Sequence, residues 1–312
     1  AYPWGALLKT GAGTMQFVQP DNSLYSSINY RADIEIREGT LILGGNDPSK
    51  DINHNSGTVS STFLGDMTEP DRKIEVTGGT LFITERGMLD KNATTATFQT
   101  PIVFKNGGTL KISEKGTPNS FGPLVFNDGR FEYVGGRENN VGMAGACGTV
   151  KITSETKTPT VWPAVSLGYW FLMPNYATEF EVDDVTEDGA VDFDFGLWMT
   201  IPYLIGGVDP ATCGFVKKGA GTMRLAANHE YIRASRKVDN VWVYDYLGFL
   251  GEARVTAGAL QVDGSIASNL VTVASGAFLS GTGTVGRVDF SSRTGETAQG
   301  PWRFCRSADG YR

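Results

Sequence analysis

Leu7-Leu8-Lys9-Thr10-Gly11-Ala12-Gly13-Thr14-Met15-Gln16-Phe17 returns far down the chain as Phe215-Val216-Lys217-Lys218-Gly219-Ala220-Gly221-Thr222-Met223-Arg224-Leu225. Between and after these near-copies a shorter pattern recurs: an apolar-x-apolar strand, a glycine, then a second alternating strand. Ile34-Glu35-Ile36 leads through Gly39 to Leu41 and Leu43; Ile74-Glu75-Val76 through Gly79 to Leu81 and Ile83; Ile102-Val103-Phe104 through Gly108 to Leu110 and Ile112. Further copies run through Gly129, Gly258 and Gly276, with half-copies after Gly13 and Gly221.

Alternation of apolar and polar side chains marks strands with one face buried and one in water, and here Lys111, Glu132, Lys151, Arg224 and Gln261 occupy the water-facing positions. The glycine between paired strands is read as a corner, because only glycine takes a positive φ without steric cost. Successive corners fall roughly 18 to 40 residues apart, the period of a stacked coil with variable loops and not the shorter rhythm of a sandwich. The expected fold is all-β: a parallel β-helix, or solenoid, with irregular loop insertions.

Composition fits. The chain has 312 residues with 40 glycines, and Thr and Val recur throughout. A net charge of -7 argues against nucleic-acid and anionic-membrane partners, whose phosphates require a basic face. No apolar run reaches the length of a membrane helix, so no direct membrane insertion is expected. The chain begins Ala1-Tyr2-Pro3-Trp4 without Met or a basic-then-apolar leader. An export signal is therefore expected to lie outside this stretch. Cys147, Cys213 and Cys305 are too few for a disulfide scaffold, though Cys147 and Cys213 could bridge if adjacent coils meet, burial as free thiols being the alternative.

The stretch from Phe215 to Gly286, with Val255-Thr256-Ala257-Gly258-Ala259-Leu260-Gln261-Val262-Asp263-Gly264-Ser265 and the Gly276 to Gly286 run, resembles the passenger-associated β-strand repeat of bacterial autotransporters. Leu7 to Gly45 is similar to a second, more diverged unit. The resemblance implies a right-handed parallel β-helix, secreted or displayed at the outer membrane or cell surface, with no catalytic residues inherited at the motif positions. Two features depart from it: Asn228 to Gly251 interrupts the repeat with Tyr231, Trp242, Tyr244, Tyr246 and Phe249, and no membrane barrel follows in the tail.

Residues 1-290 read as one β-helix with a divergent aromatic and acidic insertion at about 153-213, and 291-312 as an irregular tail. Insertions cluster on the binding face of repeat proteins, so function is sought in 46-72, 153-213 and 228-251. The middle segment holds the candidate binding residues Trp170, Tyr176, Asp183, Asp184, Asp192, Asp194 and Trp198. Aromatics can stack on sugars, although they more often fill a core. In Val191-Asp192-Phe193-Asp194-Phe195 alternation would set both carboxylates outward, where they could act on a glycosidic bond, share a calcium ion, or form a solvated strand face. His54 and His229 are the only histidines, both read as loop residues, and supply little for a metal site or catalytic triad. Arg233, Arg236 and Lys237 form a small basic cluster. The expected function is a non-enzymatic extracellular stalk or adhesin-type passenger module with a glycan or host-surface ligand and no cofactor unless calcium. The alternative is a polysaccharide-binding or -degrading β-helix enzyme using 176-203.

Overall fold

The computed structural model describes residues 6-17, 32-43, 69-83, 99-113, 119-134, 142-163, 168-172, 175, 177-200, 210-229, 232-238, 241-247, 251-267, 269-289 and 303-304. They form a three-faced parallel β-helix. The first face is one sheet of eleven strands, from Leu7–Lys9, Ile34–Ile36 and Ile74–Thr77 to Leu270–Val273 and Val288–Asp289, every neighbour parallel and one coil later in the chain. The second strand of each coil builds two five-stranded sheets, one running from Thr14–Phe17 to Arg130–Val134 and the other from Thr160–Trp162 to Phe278–Ser280. The third face is a sheet of four strands between Asn119–Phe121 and Trp198–Thr200, then a sheet of three between Ser265–Ile266 and Arg303–Phe304. That last strand lies within 291-312, a stretch expected to be irregular throughout.

Alternation sets the core as expected. Ile34, Ile74, Ile102, Leu124, Val150 and Phe180 stand in register on successive coils, all buried, while Glu35, Glu75, Val103, Val125, Lys151 and Glu181 form the adjacent solvent ladder. Opposite charges meet between and along coils on that face: Lys105 to Glu75 at 3.0 Å, Lys151 to Glu181 at 2.7 Å, Lys218 to Glu179 at 2.7 Å. Such half-exposed pairs add little stability.

The corner glycines divide into two kinds, which corrects the expectation that all serve positive φ. Gly39, Gly258 and Gly276 have it. Gly79, Gly108, Gly129 and Gly221 do not; the left-handed residue sits one position earlier at Gly78, Gly107 and Asp128, and two positions earlier at Gly219. These four lack room, as Gly39 and Gly258 also do: a Cβ on Gly108 would stand 2.0 Å from the Val76 carbonyl oxygen of the preceding coil. Gly13 meets neither condition.

The described residues of 153-213, read as an insertion, continue the coils. They supply Thr160–Trp162, Gly168–Phe171, Thr178–Val182, Phe193–Phe195 and Trp198–Thr200, all in coil register. By contrast Ile232–Val238 pairs antiparallel with Val241–Leu247 in a sheet apart from the parallel ones. Residues 44-68, which include most of the third expected loop and His54, lie outside the described residues.

The shared Lys of the two near-copies has a structural role. Lys217 stands in the inward ladder between Phe180 and Val255, fully buried, and its Nζ donates to the carbonyl oxygens of Lys218 (2.7 Å), Gly219 (2.9 Å) and Ala257 (3.2 Å). Lys9 repeats this with Thr10, Gly11 and Glu38 at 3.0, 2.7 and 3.1 Å. Each ammonium thus gathers carbonyls from its own corner and the next coil's, matching three donors to three acceptors. Burial pushes the Lys217 amine down to about 8, with Asp192 and Asp183 pulling it back up, so it stays charged at pH 7. Lys217→Met should destabilise the chain by about 2 kcal/mol, because three inward carbonyls lose their donor. An unchanged urea midpoint would mean that ammonium desolvation cancels those bonds.

Candidate functional site

The acid-rich stretch from Glu179 to Asp194 is the densest concentration of potential chemistry, and the structure ties each of its carboxylates to a neighbour. Glu179 accepts from the Thr149 hydroxyl at 3.1 Å as well as pairing with Lys218. Asp183 lies 3.8 Å from Lys151, the lysine that holds Glu181. Asp184 accepts the Glu187 N–H at 3.0 Å, Glu187 pairs with Lys157 at 2.6 Å, and Asp188 accepts the Ala190 N–H at 2.8 Å.

Asp192 overturns the expectation of two outward carboxylates. The strand starts at Phe193, so Asp192 belongs to the corner, and its carboxylate turns inside with 1% exposure. Its Oδ1 accepts the N–H of Val185 (3.0 Å), the N–H of Thr186 (2.9 Å) and the Thr186 hydroxyl (2.9 Å); its Oδ2 accepts the Thr222 N–H at 2.7 Å from the next coil. Asp194 alone lies on the half-exposed side, 3.6 Å from Arg224, which also reaches Asp263 at 3.3 Å. The two carboxylates therefore cannot act on one substrate atom or share one ion across the strand face. Among the described residues no group of three or more His, Cys, Asp or Glu side chains is placed to hold a metal ion.

The same clip recurs at other corners. Asp263 accepts the Thr282 N–H at 3.1 Å from the following coil. Asp128, itself left-handed at φ 56, accepts the Ser154 hydroxyl, the Thr156 hydroxyl at 2.6 Å and the N–H groups of Glu155 and Thr156 at 3.1 and 3.3 Å. Partial desolvation works to raise the Asp128 carboxyl, but these hydrogen bonds outweigh it and hold the group below the usual aspartate range. A lowered folded-state value means stability present above the unfolded aspartate pKa of about 3.9 and lost as pH falls through the folded value. The urea midpoint of the parent chain should therefore exceed that of Asp128→Asn by a constant amount at pH well above about 3.9 and converge on it as pH falls below that. A difference that stays constant with pH would show that the clip works equally well protonated.

The aromatics of this segment go to the core. Trp170, expected as a binding platform, is fully buried beside Trp162, ring centroids 4.8 Å apart, and Trp162 stacks on Phe131 at 4.7 Å. Trp198 is half-buried, Asp183 is half-exposed and Asp184 exposed; Tyr176 lies outside the described residues. The described members of the expected site are thus spread over core, corner and surface.

Sequence reasoning missed His229, read as a loop residue. It is buried, with Nδ1 accepting the Met199 N–H at 3.0 Å and its backbone N–H donating to Ser265 O at 2.7 Å. It fills the third-face position of its coil between the strands Trp198–Thr200 and Ser265–Ile266, and burial pushes its pKa down to about 3. No motif surrounds this histidine in the sequence, so nothing there could have signalled the role.

Cys147 and Cys213 are buried thiols, not joined in a disulfide, and burial pushes the Cys147 thiol up to about 11. The strands that follow them, Gly148–Thr153 and Phe215–Lys218, flank Thr178–Val182 on either side. Two rungs separate them, about 9.6 Å at the usual strand spacing, beyond the reach of about 7 Å that a disulfide allows.

One open groove of about 580 Å³ lies along the corners of successive coils, floored by Ala220, Ala257, Gly258 and Gly276, with Thr222 and Ser275 hydroxyls and Phe278 on its wall. Phe278 is 60% exposed and could lie against a ring, but no carboxylate, amine, imidazole or thiol lines this groove. No helix among the described residues is long and apolar enough to cross a membrane. No protein-family model, curated protein or solved structure matches the chain.

Proposed function

We propose that this chain is a non-enzymatic β-helical stalk, an adhesin-type passenger module secreted or displayed at the cell surface, with a glycan or host-surface ligand. The observation that supports this reading is the use to which the acidic and aromatic segment is put. Residues that could have formed a cleft are spent on joining coils, with Asp192 clipping one corner to the next and Trp170 in the core. Parallel β-helices also carry polysaccharide-degrading enzymes, but that link rests on fold alone.

Intact cells of the source organism should label with antibody to residues 1-312, and brief proteinase treatment should remove the signal while a cytosolic marker survives. Recovery of the protein solely in the cytosolic fraction would overturn the reading. So would release of new reducing or unsaturated ends from polysaccharide by the purified chain, if Asp194→Ala, on the half-exposed side, abolished it.

A further inference from the structure

The third face changes sheets at one coil. Its four-stranded sheet ends on Trp198–Thr200 and its three-stranded sheet begins on Ser265–Ile266. His229 stands between the two, 1% exposed. Toward the following coil the backbone makes the join: the His229 N–H donates to Ser265 O at 2.7 Å and the Ser265 N–H to Ala227 O at 3.2 Å. Toward the preceding coil a side chain makes it, because the Met199 N–H donates to His229 Nδ1 at 3.0 Å and not to a strand carbonyl.

That bond requires a bare Nδ1. The neutral ring therefore carries its proton on Nε2, which is buried and meets no acceptor among the described residues. A second proton would have to go onto Nδ1, against the Met199 N–H, and would leave a buried cation with two unanswered donors. The strands about this junction, Phe193–Phe195, Trp198–Thr200, Thr222–Leu225 and Ser265–Ile266, carry two ionisable side chains, Asp194 and Arg224, which meet each other at 3.6 Å on the half-exposed side. The Phe195 ring lies 6.3 Å from the imidazole. Burial is what pushes the His229 pKa from 6.5 down to about 3.

We infer that His229 is a proton-operated latch on the third face: neutral, it ties Trp198–Thr200 to the next coil, and protonated, it releases Met199 and lets this one junction open. A histidine whose folded value lies below its unfolded one supports the closed form above the unfolded value, and that support is lost as pH falls from about 6.5 toward the folded value. Opening stays local because the first face has no break here: Thr178–Val182, Phe215–Lys218 and Glu252–Val255 pair in one continuous sheet. The open form bares Met199 and Ile266, both fully buried when the latch is closed. Acid thus turns a sealed side of the rod into an apolar one. The latch follows from the coil geometry and does not rest on the surface-module reading.

The test is amide hydrogen exchange of the 312-residue chain between pH 7 and pH 4.5, corrected for the intrinsic pH dependence of exchange. The opening constant of the fragment carrying Met199 should rise about tenfold per pH unit below about 6.5, and so about 100-fold by pH 4.5, while a fragment spanning 74-83 changes little. In His229→Asn the side-chain carbonyl can still accept the Met199 N–H but does not titrate, so the same fragment should open to an equal extent across the range. A pH-independent opening constant in the parent chain, an equal slope in His229→Asn, or an equal rise at 74-83 would overturn the latch. Should His229→Asn fail to fold, the parent chain decides the matter by itself, since it has two histidines whose ring signals can be followed by NMR. The His229 ring of the closed form should keep its neutral signal down to pH 4.5. A titration midpoint near 6.5 with Met199 still protected would refute the inference.

Discussion

Asp192→Ala should destabilise the chain by about 4 kcal/mol, while Asp194→Ala, two residues away, should cost no more than about 1 kcal/mol. Asp192 is buried and takes four hydrogen bonds, from Val185, two groups of Thr186, and Thr222 of the next coil. Truncation leaves those donors facing a dry corner, each with its desolvation cost uncompensated, and removes a carboxylate that favours the charged form of buried Lys217. Asp194 meets Arg224 at 3.6 Å with both side chains partly in water, and such pairs are worth little. Urea denaturation at neutral pH separates the two outcomes. If both variants unfolded at the parent's midpoint, Asp192 would be no structural clip, and its burial would call for another explanation. Asp192→Asn should recover part of the loss, since its carbonyl oxygen can still accept on one side. The amide nitrogen cannot replace the other acceptor.

That contrast shows where the sequence could be read and where it could not. Apolar alternation gave the two-strand unit, the inward ladder and the stacking without error in residues 34-43, 74-83, 102-112 and 253-273, because each strand there is flanked by glycine at its corner. The reading failed in 153-213, where the coil continues with different corner chemistry. Lys157 and Glu187 take the left-handed conformation at φ 57 and 58, a place where glycine is expected, and the strands that follow are three residues long. A three-residue strand gives too little alternation to separate from a loop. Its first apolar residue also does not reveal whether the residue before it lies on the strand or on the corner. That one-residue ambiguity placed Asp192 outside instead of inside. Heavy use of Trp and Phe in the ladder looked like a binding surface for the same reason: bulk alone does not tell a core ring from an exposed one. The ribbon was legible as an interruption, but the antiparallel pairing of Ile232–Val238 with Val241–Leu247 appears only in the folded chain.

Gly221→Ala should cost about 3 kcal/mol or more, against about 1 kcal/mol for Gly276→Ala, although both glycines look alike in sequence. Gly276 has φ +79 with nothing within 4 Å of an added Cβ, so alanine there bears only the strain of the left-handed conformation. Gly221 has no positive φ, but a Cβ would stand 2.2 Å from the Asp183 carbonyl oxygen and 2.7 Å from Asp192 Oδ2. The first of those atoms is backbone of the preceding coil and cannot swing aside. Relief requires two rungs to separate at that corner, which stretches the Gly221 N–H bond to Val182 O and the Thr222 N–H bond to Asp192 together. The effect should therefore exceed that of an ordinary added methyl and should be strongly non-additive with Asp192→Ala, since both break the same junction. Thermal unfolding of the two single variants and the double measures this directly. Equal losses in Gly221→Ala and Gly276→Ala would mean that backbone angle is the constraint at both corners. The ordering expected here makes coil spacing the reason for the second glycine of the Gly219-Ala220-Gly221 corner.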